Sequence, residues 1–224
     1  MNRILVLLFA LAILGIGGAA AWYLVNSRND AFGPTPEVVL PEPNENLAIY
    51  TNGPYGFTLF YPEAADVSYE FDPTYHLGSA WRANALPDVP GDPLVSIVPY
   101  AVSSENSYPR YFNAMVRVGA SADPQEVERC EKVGVNEGET ALSDRTINGR
   151  VWKAFSFESA GMMQYARGIS YRTIHEDVCI ALEQVRTGSS YREDAPSERD
   201  IAEATLDAEF ENLDAIVASF VFVR

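Results

Sequence analysis

Covalent or metal chemistry needs nucleophiles, bases or ligands at workable spacing, and this chain offers few. Its whole supply of imidazole and thiol is His76, His175, Cys130 and Cys179. His175-Glu176 begins like a His-Glu-x-x-His zinc helix, but position 179 is Cys and no further His follows. Gly119-Ala120-Ser121-Ala122-Asp123 and Gly168-Ile169-Ser170-Tyr171-Arg172 both lack the closing glycine of a nucleophile elbow. Phosphate-cradling and dinucleotide-binding glycine loops are missing from the sequence. No catalytic, cofactor-binding or metal-ligating set is therefore expected. His76 sits in the loop-like Pro73-Thr74-Tyr75-His76-Leu77-Gly78, and His175 in a hairpin connection. The alternative left open is an exported hydrolase that assembles Ser, Asp and His76 or His175 from distant segments.

Carboxylates are plentiful near the end of the chain: Glu193, Asp194, Glu198, Asp200, Glu203, Asp207, Glu209, Glu211 and Asp214. Clustered oxygens suit a hard cation, so a calcium-dependent module is a second alternative. Their spacing fits no EF-hand loop, and several belong to the polar side of a helix, where a solvated face is the simpler reading. Arg167 and Arg172 alternate to opposite faces of one strand, so a single anion pocket cannot use both. Met162-Met163 at a hairpin tip reads either as packing over a sheet edge or as a contact surface. The 12 Tyr, 11 Phe and 3 Trp either fill a core or line a groove, with Trp81, Trp152, Phe155 and Phe157 as core candidates.

The elements that must position these side chains begin with a membrane segment. Ile4 to Val25 is 22 residues without a charge, and about 20 apolar residues span a bilayer as a helix. Arg3 precedes the run, which by the positive-inside rule leaves the N-terminus in the cytoplasm and the rest outside. A cleaved signal peptide competes, because Ala19 and Ala21 form a small-x-small pattern; the run is longer than the usual ~7–15-residue apolar region. Residues 1–25 are thus read as an anchor or signal peptide, and 26–46 as a tether rich in Pro34, Pro36, Pro41 and Pro43. Residues 47–224 form the extracytoplasmic domain, in the periplasm or outside the cell. At 47% hydrophobic and 21% charged, with net charge −15, this composition builds a core and repels nucleic acid.

Export also bears on the thiols. An oxidising compartment bridges paired cysteines, and Cys130 and Cys179 are the only two in the chain. A disulfide would staple a helix end to a strand; the competing reading is two separate buried thiols.

Within the domain, Tyr55 to Pro62 reads as a strand, and Leu94 to Ala101 as a doubly covered strand that Pro99 marks as an edge or bulge. Asn148-Gly149 calls for a type I′ hairpin, placing Ile147 opposite Arg150, Asp144 opposite Lys153, and Arg145 opposite Trp152 as a cation–π pair. Strands Val151–Glu158, Gln164–Thr173 and Val178–Arg186 follow as an antiparallel meander. Helices are expected over Tyr108–Val118, over Asp123–Cys130 behind an Asp-Pro start, and over Ile201–Ser219, where Leu206, Phe210, Leu213, Ile216, Val217 and Phe220 recur every three or four residues. The fold class expected is α+β, an antiparallel meander packed by helices.

Tyr50 followed by Tyr55-Gly56-Phe57-Thr58-Leu59-Phe60-Tyr61-Pro62, then Thr146-Ile147-Asn148-Gly149 and the closing Ala218-Ser219-Phe220, resembles PsbP-like α/β/α-sandwich domains over about residues 47–224. That resemblance implies a sandwich fold and carries no catalytic motif; such families include photosynthetic accessory subunits and anchored bacterial proteins. The reading from sequence is a protein held in the inner membrane through residues 4–25. Its domain is a binding or accessory module without catalysis, engaging another envelope protein and no nucleic acid.

Overall fold

The computed structural model describes residues 46–85, 88–103, 111–133, 138–189 and 202–223. The expected membrane segment 4–25, the tether up to residue 45, and Glu193, Asp194, Glu198 and Asp200 lie outside them. No helix among the described residues is long and apolar enough to cross a membrane.

Among these residues the strands build two antiparallel sheets. The small one contains β1 (Leu47–Asn52), β2 (Phe57–Pro62) and β11 (Val221–Phe222), in the order β1-β2-β11. The large one contains β3 (Asp66–Ser68), β4 (Asp92–Ser103), β5 (Tyr111–Ser121), β6 (Glu139–Ala141), β8 (Arg150–Gly161), β9 (Gln164–His175) and β10 (Val178–Ser189). Its order is β3-β4-β5-β10-β9-β8-β6, and β7 (Arg145–Ile147) also pairs with β8. Two-residue turns close the meander. Asn148-Gly149, Met162-Met163 and Glu176-Asp177 each hold both central residues at positive φ, as a type I′ turn demands. The sequence points to the first of these through its glycine; the other two accept left-handed backbone at non-glycine residues, at a cost on the order of 1–3 kcal/mol each.

Among the described residues two helices accompany the sheets. Pro124–Arg129 (α1) starts as expected, with the Asp123 side chain accepting from the N–H groups of Gln125 and Glu126. Glu203–Ala218 (α2) lays Leu213, Ile216 and Val217 onto β5 and β10. Those residues join Phe57, Leu59, Val116, Val118, Trp152, Leu182 and Phe220 in one buried cluster, so α2 and the small sheet share a core with the large sheet. The aromatic core candidates Trp81, Trp152, Phe155 and Phe157 are all buried. The Asn148 turn reaches this layer: its amide donates to the carbonyls of Ala218, the last residue of α2, and of Phe220 just beyond it, at 3.0 and 2.7 Å. Hairpin and helix end are thereby tied together.

Three expectations need correction. Residues 111–118 of the expected helix Tyr108–Val118 belong to strand β5. A central strand covered on both faces loses its alternation of apolar and polar residues, and Ala114, Met115 and Arg117 favour helix when read alone. Gly119 in this strand has a packing reason: a Cβ there would lie 1.8 Å from the Trp81 carbonyl oxygen. Arg145 pairs with Trp152 in register as expected, but its guanidinium lies over the Tyr171 ring at 5.2 Å and is bound by Asp214. Finally, helix contributes less than a helix-packed meander implies, and the fold is dominated by antiparallel sheet. The irregularity around Pro99 is real: the β4–β5 register shifts between Ile97 and Tyr100.

Candidate functional site

On β9, side chains alternate between the face that carries α2 and the opposite face. Arg172 takes the far face. There it joins Arg82, Arg117, Glu126, Glu139 and Glu183 in a buried array of three cations and three anions. Arg117 Nη2 donates to Glu183 Oε2 at 2.7 Å, and the Ala83 N–H donates to Glu183 Oε1 at 2.8 Å. Arg82 donates to Glu126 at 3.1 Å, and Arg172 to Glu139. Burial pulls the Arg172 guanidinium below its ordinary pKa, against the opposing pull of Glu139. Every charge here has a counter-charge in place, so the array holds the loop around Trp81 and Arg82 to the sheet.

Arg167 takes the α2 face. Counting outward from the Glu176-Asp177 turn sets it directly opposite Arg186 on β10, while the Met162-Met163 turn sets Glu158 on its other side. Two like charges facing each other across a ladder are unfavourable unless neighbours compensate. Compensation comes from Glu158 in the same cross-strand row and from α2, where Asp207 accepts from Arg186 Nη1 at 2.7 Å. Tyr165, two residues before Arg167, lies beneath both guanidiniums, at 5.5 Å from Arg167 and 5.9 Å from Arg186; Phe210 lies 5.8 Å from Arg186.

This row borders a cleft of about 430 Å³, walled by β8, β9 and α2 and lined by Thr140, Ser156, Glu158, Arg167, Ile169, Arg186, Asp207 and Phe210. Guanidinium forks match carboxylate and phosphate oxygens two at a time, and their seating on aromatic rings limits the rotamer freedom lost on binding. What the arrangement can do is recognise an anionic group and hold an apolar one beside it against Ile169 and Phe210. The sequence reading correctly separated Arg167 from Arg172 but did not find Arg186, because the Glu176-Asp177 turn that sets the register carries no glycine to announce it.

The other candidates fall elsewhere. Cys130 and Cys179 are joined by a disulfide, with Cα atoms 5.6 Å apart, on the far face beside Trp81. His76 lies against the β8–β9 hairpin, its Nδ1 2.9 Å from Ser159 Oγ and its Nε2 2.9 Å from the Gly161 carbonyl oxygen. That carbonyl can only accept, so Nε2 carries a proton, and Nδ1 shares a hydrogen bond with the Ser159 hydroxyl. His175 packs on the Phe222 ring and against Arg150, 3.1 Å from Arg150 Nη2; burial, then the Arg150 charge, lower its pKa. Of the acidic stretch, Asp207 binds Arg186 and Asp214 binds Arg145. Among the described residues no group of three His, Cys, Asp or Glu side chains is placed to hold a metal ion. Met162 and Met163 are 78% and 56% exposed, which removes the reading that they pack over a sheet edge.

No protein-family model matches the chain, and no curated protein does either. Among solved structures, the chain is similar to the solution structure of cyanobacterial PsbP (CyanoP) from Synechocystis sp. PCC 6803, at 13% identity and a TM-score of 0.37. The match covers 85% of this chain and 99% of that one. A likeness of this extent carries no argument about the cleft, whose reading rests on its own residues.

Proposed function

We propose that this chain is a binding or accessory module, anchored through residues 4–25 and working outside the cytoplasmic membrane by recognition without covalent chemistry. Its partner is another envelope protein, and the cleft receives an acidic segment of it. The observation that carries this reading is Arg167, partly buried at the border of the cleft against the Tyr165 ring, opposite a buried Arg186 that Asp207 holds in place. Anchoring and export rest on the uncharged run and Arg3. The test is cross-linking of the full chain in its native envelope, comparing wild type, Arg167→Ala and the remote control Lys132→Ala. A discrete protein adduct that survives Lys132→Ala and disappears with Arg167→Ala supports the reading. An adduct indifferent to Arg167 overturns the cleft, and no adduct overturns the partner.

A second reading, an exported hydrolase, is favoured by one observation: the Ser159 hydroxyl lies 2.9 Å from His76 Nδ1, and the other ring nitrogen is oriented by a carbonyl. In the main reading the same contact is a clamp between a loop and a hairpin. A fluorophosphonate distinguishes them, because an activated Ser159 is labelled covalently and loses its labelling in His76→Ala, whereas a clamp serine stays unmodified.

A further inference from the structure

The β8–β9 hairpin ends in a feature that the cleft does not use. Met162 and Met163 occupy both central positions of the turn, with φ of 48° and 62°, and stand 78% and 56% exposed. Two unbranched apolar side chains in left-handed backbone at a solvent-facing tip do nothing for the isolated fold. The tip is nonetheless held firmly. His76 bridges Ser159 and the Gly161 carbonyl beneath it, and the Tyr75 ring packs edge-on against His76 while remaining 63% exposed. Charge is missing from the whole projection: Ser159 to Ala166 and Pro73 to Ala80 contain no Asp, Glu, Lys or Arg, in a chain of net charge −15.

We propose that this tip inserts into a neutral phospholipid surface, with Met162 and Met163 entering the acyl boundary and Tyr75 at headgroup level. Three observations favour a bilayer. The projection is a hairpin tip without charge on which Met162, Met163 and Tyr75 stand exposed, which suits a deformable surface. It has no Lys or Arg to seek anionic lipid, and a chain of net charge −15 is repelled by an anionic bilayer. Residues 4–25 are read as spanning a membrane, and the proline-rich tether of 26–46 reaches several nanometres at about 3.1 Å per residue, so a bilayer is held at high effective concentration. The inference rests on that anchored reading, and aromatic rings such as Tyr75 favour the interface.

The test uses the full chain in phosphatidylcholine vesicles, with flotation reporting the anchor and two further readouts reporting the tip. In vesicles with brominated acyl chains, Met162→Trp should add emission that is quenched by about half or more beyond wild type and shielded from aqueous iodide. In the unsubstituted chain, peroxide should convert Met162 and Met163 to sulfoxide within about threefold of the rate at buried Met115. A chain that floats while the added tryptophan is iodide-accessible and unquenched, or while Met162 and Met163 oxidise faster than that, overturns tip insertion and leaves the anchor standing. A chain that fails to float removes the anchor and the tip together.

Discussion

The two faces of the large sheet carry charge in opposite ways. On the far face, Arg82, Arg117, Arg172, Glu126, Glu139 and Glu183 are buried and balanced, each ion within reach of an opposite one. On the α2 face the core is apolar, and charge collects at its border, where Arg167 and Arg186 face one another across the ladder beside Glu158 and Asp207. The strands supplying both sets are the same. Arg172 and Arg167 are five residues apart on β9, Glu183 and Arg186 three apart on β10, and strand parity alone sends them to opposite sides. Buried charge with every partner present is architecture; at the cleft border the partly buried Arg167 faces a buried Arg186 that Asp207 holds, and the guanidinium of Arg167 is the one the cleft presents. The consequence is that the far face tolerates substitution poorly and the partly buried Arg167 tolerates it better.

The largest effect should come from removing a buried anion. Glu183→Ala leaves the Arg117 guanidinium and the Ala83 N–H unpaired in the interior, with an expected loss of about 3–5 kcal/mol in denaturant unfolding. Arg167→Ala, at a partly buried position on the cleft border, should change stability by less than about 1 kcal/mol while abolishing the cross-linked adduct. Equal losses from the two would dissolve the contrast between the faces.

Next in size is the staple on the far face. Cys130 and Cys179 lie 49 residues apart in sequence, and closing a loop of that order stabilises by about 2–4 kcal/mol through the unfolded chain. Cys130→Ala with Cys179→Ala should lose that amount. Thiol titration of unreduced, denatured protein should find no free thiol, and two free thiols would exclude the bridge in the native protein.

A smaller effect belongs to the α2 face. Gly149 has φ of 78° in the turn whose Asn148 holds the end of α2. Gly149→Val forces a β-branched residue into left-handed backbone, at about 1–3 kcal/mol. A variant that melts with wild type would show that the turn does not need this geometry.

The smallest effect is a pH dependence at His175. Its folded pKa lies below the ordinary 6.5, so the unfolded chain binds the proton more readily. The stabilisation is therefore complete above about pH 6.5 and is lost as pH falls through the depressed folded value. Compared across pH 7 to 5, wild type should lose slightly more melting temperature than His175→Phe, which keeps a ring on Phe222. A parallel decline in both would place the acid sensitivity elsewhere.

Much of this was legible along the chain because the signals are local. Asn148-Gly149 specifies its turn through the φ that glycine permits, Asp123-Pro124 specifies a helix start through capping, and the three-to-four spacing from Leu206 to Val217 specifies the face α2 buries. Two cysteines in a chain read as exported leave one possible intramolecular pairing. The tertiary structure decided what depends on residues far apart in sequence. Tyr111–Ser121 is a strand because both its faces are covered, a fact about its neighbours that erases its own periodicity. Arg145 turns from Trp152 to Tyr171 because α2 brings Asp214 to it. Arg167 meets Arg186 because a turn of Glu and Asp, without glycine, sets the register of β9 on β10. The Glu183 array exists only once β5, β10 and the loop around Arg82 converge, since a carboxylate is stable in the interior only where long-range packing delivers its counter-charges.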